Sequence, residues 1–166
     1  QDYFESQKEE QENNLAKKTV ICETIEAIDL QALDSFKTWN KKTEEVLALQ
    51  DEWKKIGFTP KKMNSKIFER FRLACDKFFN TKNEFLKDIK DEMQVNLEKK
   101  EALCEKAEAL KESVDWKNTS NDLIKLQEEW KKIGPVPKRF SNTIWVRFNE
   151  ACDHFFESRN KHNAEQ

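Results

Sequence analysis

Thirty-five consecutive residues of this chain return 77 positions later with 19 of them unchanged. Residues 49–83 read LQDEWKKIGFTPKKMNSKIFERFRLACDKFFNTKN, and residues 126–160 read LQEEWKKIGPVPKRFSNTIWVRFNEACDHFFESRN. Trp39 and Trp116 keep the same offset. A period of this size marks a repeat architecture, in which one supersecondary unit is copied along the chain. Further upstream the offset becomes 82: Ile21-Cys22-Glu23 aligns with Leu103-Cys104-Glu105, and Glu26-Ala27-Ile28 with Glu108-Ala109-Leu110. The first copy therefore carries five extra residues between Ile28 and Trp39. That places a loop there, because loops tolerate insertions and packed helices do not. Tyr3-Phe4-Glu5-Ser6 mirrors Phe155-Phe156-Glu157-Ser158. Residues 1–14 are accordingly expected to be the tail of a preceding copy, 15–86 the first repeat and 87–166 the second, within a parent of at least three units.

Each copy carries three helical seams. In helix A, Leu103, Ala107, Leu110 and Val114 step by 4, 3, 4, and Ile21, Ile25 and Ile28 match the first three. In helix B, Val46, Leu49, Trp53 and Ile56 step by 3, 4, 3, as do Leu123, Leu126, Trp130 and Ile133. In helix C, Ile67, Phe71, Ala74 and Phe78 step by 4, 3, 4, as do Ile144, Phe148, Ala151 and Phe155. Such steps follow the turn of an α-helix and not the alternation of a strand. Phe68, Cys75 and Phe79 widen the stripe of helix C, as suits a helix packed against two others. Gly57 and Gly134 close helix B, where a left-handed residue is expected, and Pro60, Pro135 and Pro137 block its continuation. Asn64-Ser65 and Ser141-Asn142 are expected to cap helix C, and Thr119 with Asp122 to form a capping box on helix B. No Gly or Pro occurs between residues 61 and 133. Helix C of the first unit is thus expected to run into helix A of the second, from about 65 to 112, roughly 70 Å at 1.5 Å per residue. The charged stretch 87–100 would lie bare to solvent. The expectation is an all-α chain of tandem three-helix bundles joined by a long continuous helix, elongated in the spectrin-like manner.

Composition agrees. Only 37% of residues are hydrophobic and 37% are charged, but 12 Phe and 5 Trp supply the aromatics that disordered chains lack. Two Gly and three Pro are too few for a turn-rich β fold. The four cysteines Cys22, Cys75, Cys104 and Cys152 form no CxxC and no zinc-site spacing. All lie in apolar stripes, which reads as buried free thiols in a reducing compartment. With no leader pattern at the start and no run of about 18 apolar residues, the cytoplasm is expected and a membrane partner is not.

The run EWKKIGxxPK, an aromatic–Arg–Phe stretch and ACDxFF resemble the bacterial tandem-repeat family catalogued as domain of unknown function 349. The resemblance spans nearly the whole chain in two copies. It implies a helical array of about this period, and implies no activity, cofactor or catalytic residue.

The residues themselves offer little to catalysis. Trp53, Ile56, Phe71 and Phe78, with Trp130, Ile133, Phe148 and Phe155, read as the core of each bundle rather than a docking surface. Asp76 and Asp153 lie beside apolar seams, with Arg70 and Arg147 six residues before them, and read as locally paired groups. Cys75 and Cys152 lack the open, basic setting of a reactive thiol. No phosphate loop, metal cluster or triad is visible, so no cofactor, no small-molecule substrate and no enzyme activity are expected.

Charge is segregated instead. Residues 53–83 carry +7 and 130–166 carry +3, whereas 1–52 carry −7 and 84–129 carry −5, for a net −2. Each B–C turn holds a basic cluster: Lys54, Lys55, Lys61, Lys62 and Lys66 in one, Lys131, Lys132, Lys138 and Arg139 in the other. These residues either balance acidic helices A and B within the bundle or bind the phosphates of RNA. The favoured reading is a scaffold or macromolecular-interaction module with a protein partner. The alternative is an RNA- or ribosome-associated protein.

Overall fold

A computed structural model describes residues 3–166. Among them there are five α-helices and no strand: α1 (Tyr3–Glu26), α2 (Phe36–Lys55), α3 (Lys61–Leu110), α4 (Trp116–Lys132) and α5 (Lys138–Glu165), with a 3₁₀ turn at Leu30–Ala32. The chain divides into two compact units, one ending at Leu86 and the other beginning at Lys87. α1, α2 and the first part of α3 supply helices A, B and C of the first unit. The rest of α3, α4 and α5 supply those of the second. The extra residues of the first copy form the 3₁₀ turn between α1 and α2, where Asp29 caps through its carboxylate.

In the first unit Ile21, Cys22 and Ile25 of α1 pack with Trp53 of α2 and with Ile67, Ala74 and Cys75 of α3. A second cluster joins Trp39, Val46 and Phe78. In the second unit one continuous core runs from Leu97 to Phe155. Both units stack an indole of helix B flat on a phenyl of helix C: Trp53 on Phe71 with centroids 4.0 Å apart, and Trp130 on Phe148 at 4.4 Å. Such a pair adds about 0.5–1.5 kcal/mol beyond its area.

Helix A carries a ladder of four residues spaced by four, hence on one face. Asn14 Nδ2 donates to the Phe58 carbonyl at 2.9 Å. Lys18 Nζ lies 4.9 Å from the centre of the Trp53 ring. Cys22 Sγ meets the Ile67 carbonyl at 3.9 Å. Glu26 takes Arg70 Nη2 at 2.7 Å and Nε at 3.0 Å. The second unit repeats all four rungs: Asn96 to the Pro135 carbonyl at 2.9 Å, Lys100 over Trp130 at 4.8 Å, Cys104 to the Ile144 carbonyl at 3.6 Å, and Glu108 with Arg147 at 2.7 and 3.0 Å. The offset of 82 seen in the sequence extends to every rung, and together they fix helix A to the B–C turn, to helix B and to helix C.

Several local expectations are corrected. Neither glycine has a positive φ. Helix B ends instead on Ile56 and Ile133, both in extended backbone with ψ near 135 and 134°. The glycines serve close approach: a Cβ on Gly57 would stand 3.1 Å from Asn14 Nδ2, and one on Gly134 2.9 Å from Asn96 Nδ2. Helix C starts a turn before the expected Asn64-Ser65 and Ser141-Asn142 caps, directly after Pro60 and Pro137, whose fixed φ already suits a helix start. Asn64 accepts from the Thr59 hydroxyl at 3.1 Å. Helix B of the second unit is capped by Asp115, not by Thr119, whose hydroxyl pairs with Ser113 at 2.7 Å. The stretch 87–100 is not wholly bare: Asn96 and Leu97 are buried in the second unit. Phe68 is 54% exposed and does not widen the core stripe.

The close approach at Gly134 has a measurable consequence. Asn96→Ala lowers stability to urea by about 1 kcal/mol. Gly134→Ala also lowers it, by pushing the amide off the Pro135 carbonyl. In an Asn96→Ala background the same Gly134→Ala change becomes neutral or stabilising, because its backbone suits alanine and the clash is gone.

Candidate functional site

The B–C turn brings the last turn of helix B beside the first turn of helix C. In the first unit that assembles Lys54 and Lys55 with Lys61 and Lys62, and Lys66 follows one helical turn later. In the second it assembles Lys131 and Lys132 with Lys138 and Arg139. All nine side chains are exposed. None takes part in an ion pair among the described residues.

Helix electrostatics separates them into two groups. A helix carries partial negative charge at its C-terminus and partial positive charge at its N-terminus. Lys54, Lys55, Lys131 and Lys132 sit in last turns, where cations are favoured. Lys61, Lys62, Lys138 and Arg139 sit in first turns, where cations are disfavoured and where α3 and α5 place no acid. No side chain caps the start of α5. Fold stability accounts for the first group and opposes the second, in both copies.

Among the described residues the Arg/Lys–carboxylate pairs that join helix C to helix A are Arg70–Glu26 and Arg147–Glu108, with His154 of helix C beside Glu112 just past the end of helix A. Hydrogen bonds from these guanidiniums hold the Glu26 and Glu108 carboxyls below the ordinary range. Arg72 is occupied within its own helix by Glu69 and by Asp76, the latter at 2.8 Å. Asp76 is exposed, as is Asp153, and neither is the partner of an indole: Trp39 Nε1 is buried without a partner among the described residues.

Aromatic side chains divide sharply. Trp53, Phe78, Trp130, Phe148 and Phe155 are buried, and Ile56, Phe71 and Ile133 are half-buried against them. Phe58 and Phe68 stand 82% and 54% exposed, Trp145 49%, and Phe140 is exposed as well. Phe68 and Trp145 occupy the same repeat position. Trp145 leans on the Trp130 ring, centroids 6.0 Å apart. Each turn thus sets cations that lack a carboxylate partner beside aromatic rings left partly in water. Phe68, expected to widen the seam, lies outside it. Position alone does not mark the rings: Cys75 and Cys152 also stand one residue past seam residues and are buried, so only exposure in the folded units separates the rings from the seam.

The thiols are poorly placed for chemistry. All four cysteines are buried. Burial pushes Cys22 and Cys104 up to about 11, and raises Cys75 and Cys152 as well. His154 sits between the Lys111 carbonyl and Glu112, each at 3.2 Å, and His162 stacks on Trp116 at 4.9 Å. No cluster of His, Cys, Asp or Glu among the described residues is placed to hold a metal ion, and no helix among them is long and apolar enough to cross a membrane.

Two outcomes follow. Lys61→Glu/Lys62→Glu raises the melting temperature of the chain, since the charge reversal turns an unfavourable dipole interaction into a favourable one worth a few tenths of a kcal/mol per residue. The thiols resist iodoacetamide at pH 7 in the native state and react fully in denaturant. Rapid native alkylation would contradict their burial.

No curated protein and no solved structure matches the chain. A family model does match, over residues 1–62 and again over 66–139. The two matches end at Lys62 and Arg139, the same position of the repeat, within the basic turn. With most of its length matched in two copies, the chain belongs to the family described as Domain of Unknown Function (DUF349).

Proposed function

We propose that the chain is a non-catalytic interaction module that binds RNA phosphates through its B–C turns. One observation carries this reading: in both units the first turn of helix C bears two exposed cations with no carboxylate partner among the described residues, where the helix disfavours them, Arg139 lying over the exposed Phe140 ring at 4.7 Å. Sequence positions that cost stability without a compensating ion pair are characteristic of sites kept for binding. Unneutralised Lys and Arg gain most from phosphate, because binding releases the counterions condensed on the nucleic acid. The buried, protonated thiols fit the reducing cytoplasm. No cofactor or small-molecule substrate enters this reading.

A second reading, docking of a protein partner, is favoured by an open groove of about 620 Å³ between α1 and α2 of the first unit, lined by Val20, Ile21, Leu49 and Ile56 among charged residues. Affinity capture that retains no protein after nuclease treatment counts against it.

Titration of a mixed RNA pool over a salt series tests the RNA reading. Affinity should fall steeply as salt rises, each phosphate contact adding about −0.7 to −0.9 to the logarithmic slope. Lys54→Glu/Lys55→Glu/Lys61→Glu/Lys62→Glu should flatten the slope and remove most of the binding while the chain stays folded. Absence of binding at low salt, or affinity indifferent to salt, refutes it.

A further inference from the structure

We infer that the nucleic acid is single-stranded and that its bases stack on Phe68 and Trp145; this rests on the RNA reading above and narrows it. Neither ring belongs to the buried core of its unit. A large aromatic left half in water forgoes the burial that makes such residues useful to a small bundle, and the equivalent position holds one in each unit, exposed in both. The flanking seam residues Ile67 and Ile144 are buried, and the rings beside them are not.

The neighbours of these rings match what a single strand presents. Phe68 follows Lys61 by seven residues, and Trp145 follows Lys138 by seven. Seven residues are two turns, which puts cation and ring on one face of helix C about 10 Å apart. Ser65 and Asn142 stand between them, three residues before the rings, exposed and able to donate and accept. A backbone phosphate at the cation, a sugar or base edge at the polar side chain and a base on the ring form one continuous track. Trp145 is held at its position by Trp130, itself stacked on Phe148, so this platform is built before any ligand arrives. A duplex hides the faces of its bases and would meet only the cations. Unstacked bases of a single strand offer a face to each ring, whatever their sequence.

The test compares a single-stranded oligouridylate with a self-complementary RNA duplex of equal length, binding to the whole chain at low salt, with tryptophan fluorescence and anisotropy as readouts. The single strand should bind more tightly and quench fluorescence, and Trp145→Phe should remove most of the quenching. Phe68→Ala/Trp145→Ala should weaken single-strand binding by about tenfold or more, leave the salt slope unchanged and leave duplex binding where it was. Phe68→Trp should tighten single-strand binding, a gain that a merely damaged fold would not give. Equal binding of both RNAs, indifferent to the rings, overturns the stacking inference and leaves phosphate binding standing. No binding to either RNA brings down the RNA reading itself. If vesicles of phosphatidylglycerol displace the oligonucleotide and need the same rings, the rings are lipid anchors and the inference is overturned.

Discussion

A side-chain amide holding a turn carbonyl sets the geometry on which each unit depends. The connection between helices B and C has no secondary structure of its own, and two helices separated by a few residues could leave it at many angles. Asn14 and Asn96 fix that angle by donating to Phe58 and Pro135 carbonyls, across 44 and 39 residues of sequence. The amide can pass only because Gly57 and Gly134 leave room for it. The other rungs of helix A continue the same alignment downward, through the lysine over the indole, the thiol at the helix C backbone and the glutamate–arginine pair. The exposed ion pair contributes little stability of its own. Its spacing matters more: four contacts in strict i, i+4 order allow helix A one rotational setting against helix C.

Once the turn is fixed, the cations around it are fixed too, and their placement runs against the helices that carry them. A fold selected for stability alone would place Asp or Glu in the first turn of α3 and α5. These units place Lys61, Lys62, Lys138 and Arg139 there, and their acids sit mostly on helices A and B. The charge segregation visible along the sequence is therefore not cancelled by contact in the folded units. It survives as a basic turn on each, the feature on which the proposed function rests.

The helical seams, the repeat and the extra loop in the first copy were legible because each is a pattern over many residues, and helix packing averages over small local conflicts. Single-residue chemistry was less legible. Gly57 and Gly134 stand where a left-handed cap belongs, and only the position of a side chain more than 40 and nearly 40 residues away reveals that they answer to Asn14 and Asn96. Thr119 and Asp122 have capping-box spacing, but Asp115, a turn earlier, takes the helix start first. Phe68 sits beside seam residues in the sequence and a third of a turn away from them in space. In each case the sequence supplies the right residue type, and a contact distant along the chain decides its task.

The two units reach the same turn by different means, and the difference has a direction. The first closes its turn with the buried Thr59 hydroxyl on Asn64; the second uses Val136, buried in a single continuous core, between two prolines. The B–C segment of the first, residues 53–83, carries +7 against +3 for residues 130–166 of the second, although each whole unit nets −1, and the first has a phenylalanine at the outward position. The second carries a tryptophan there, braced by Trp130. Indole offers the larger face and the better-supported one, while the turn of the first unit gathers five cations against four. On the proposed reading the first turn supplies more of the phosphate contact and the second more of the stacking. The repeat then distributes two components of single-strand affinity over two copies of one turn, neither of which has to be optimal for both.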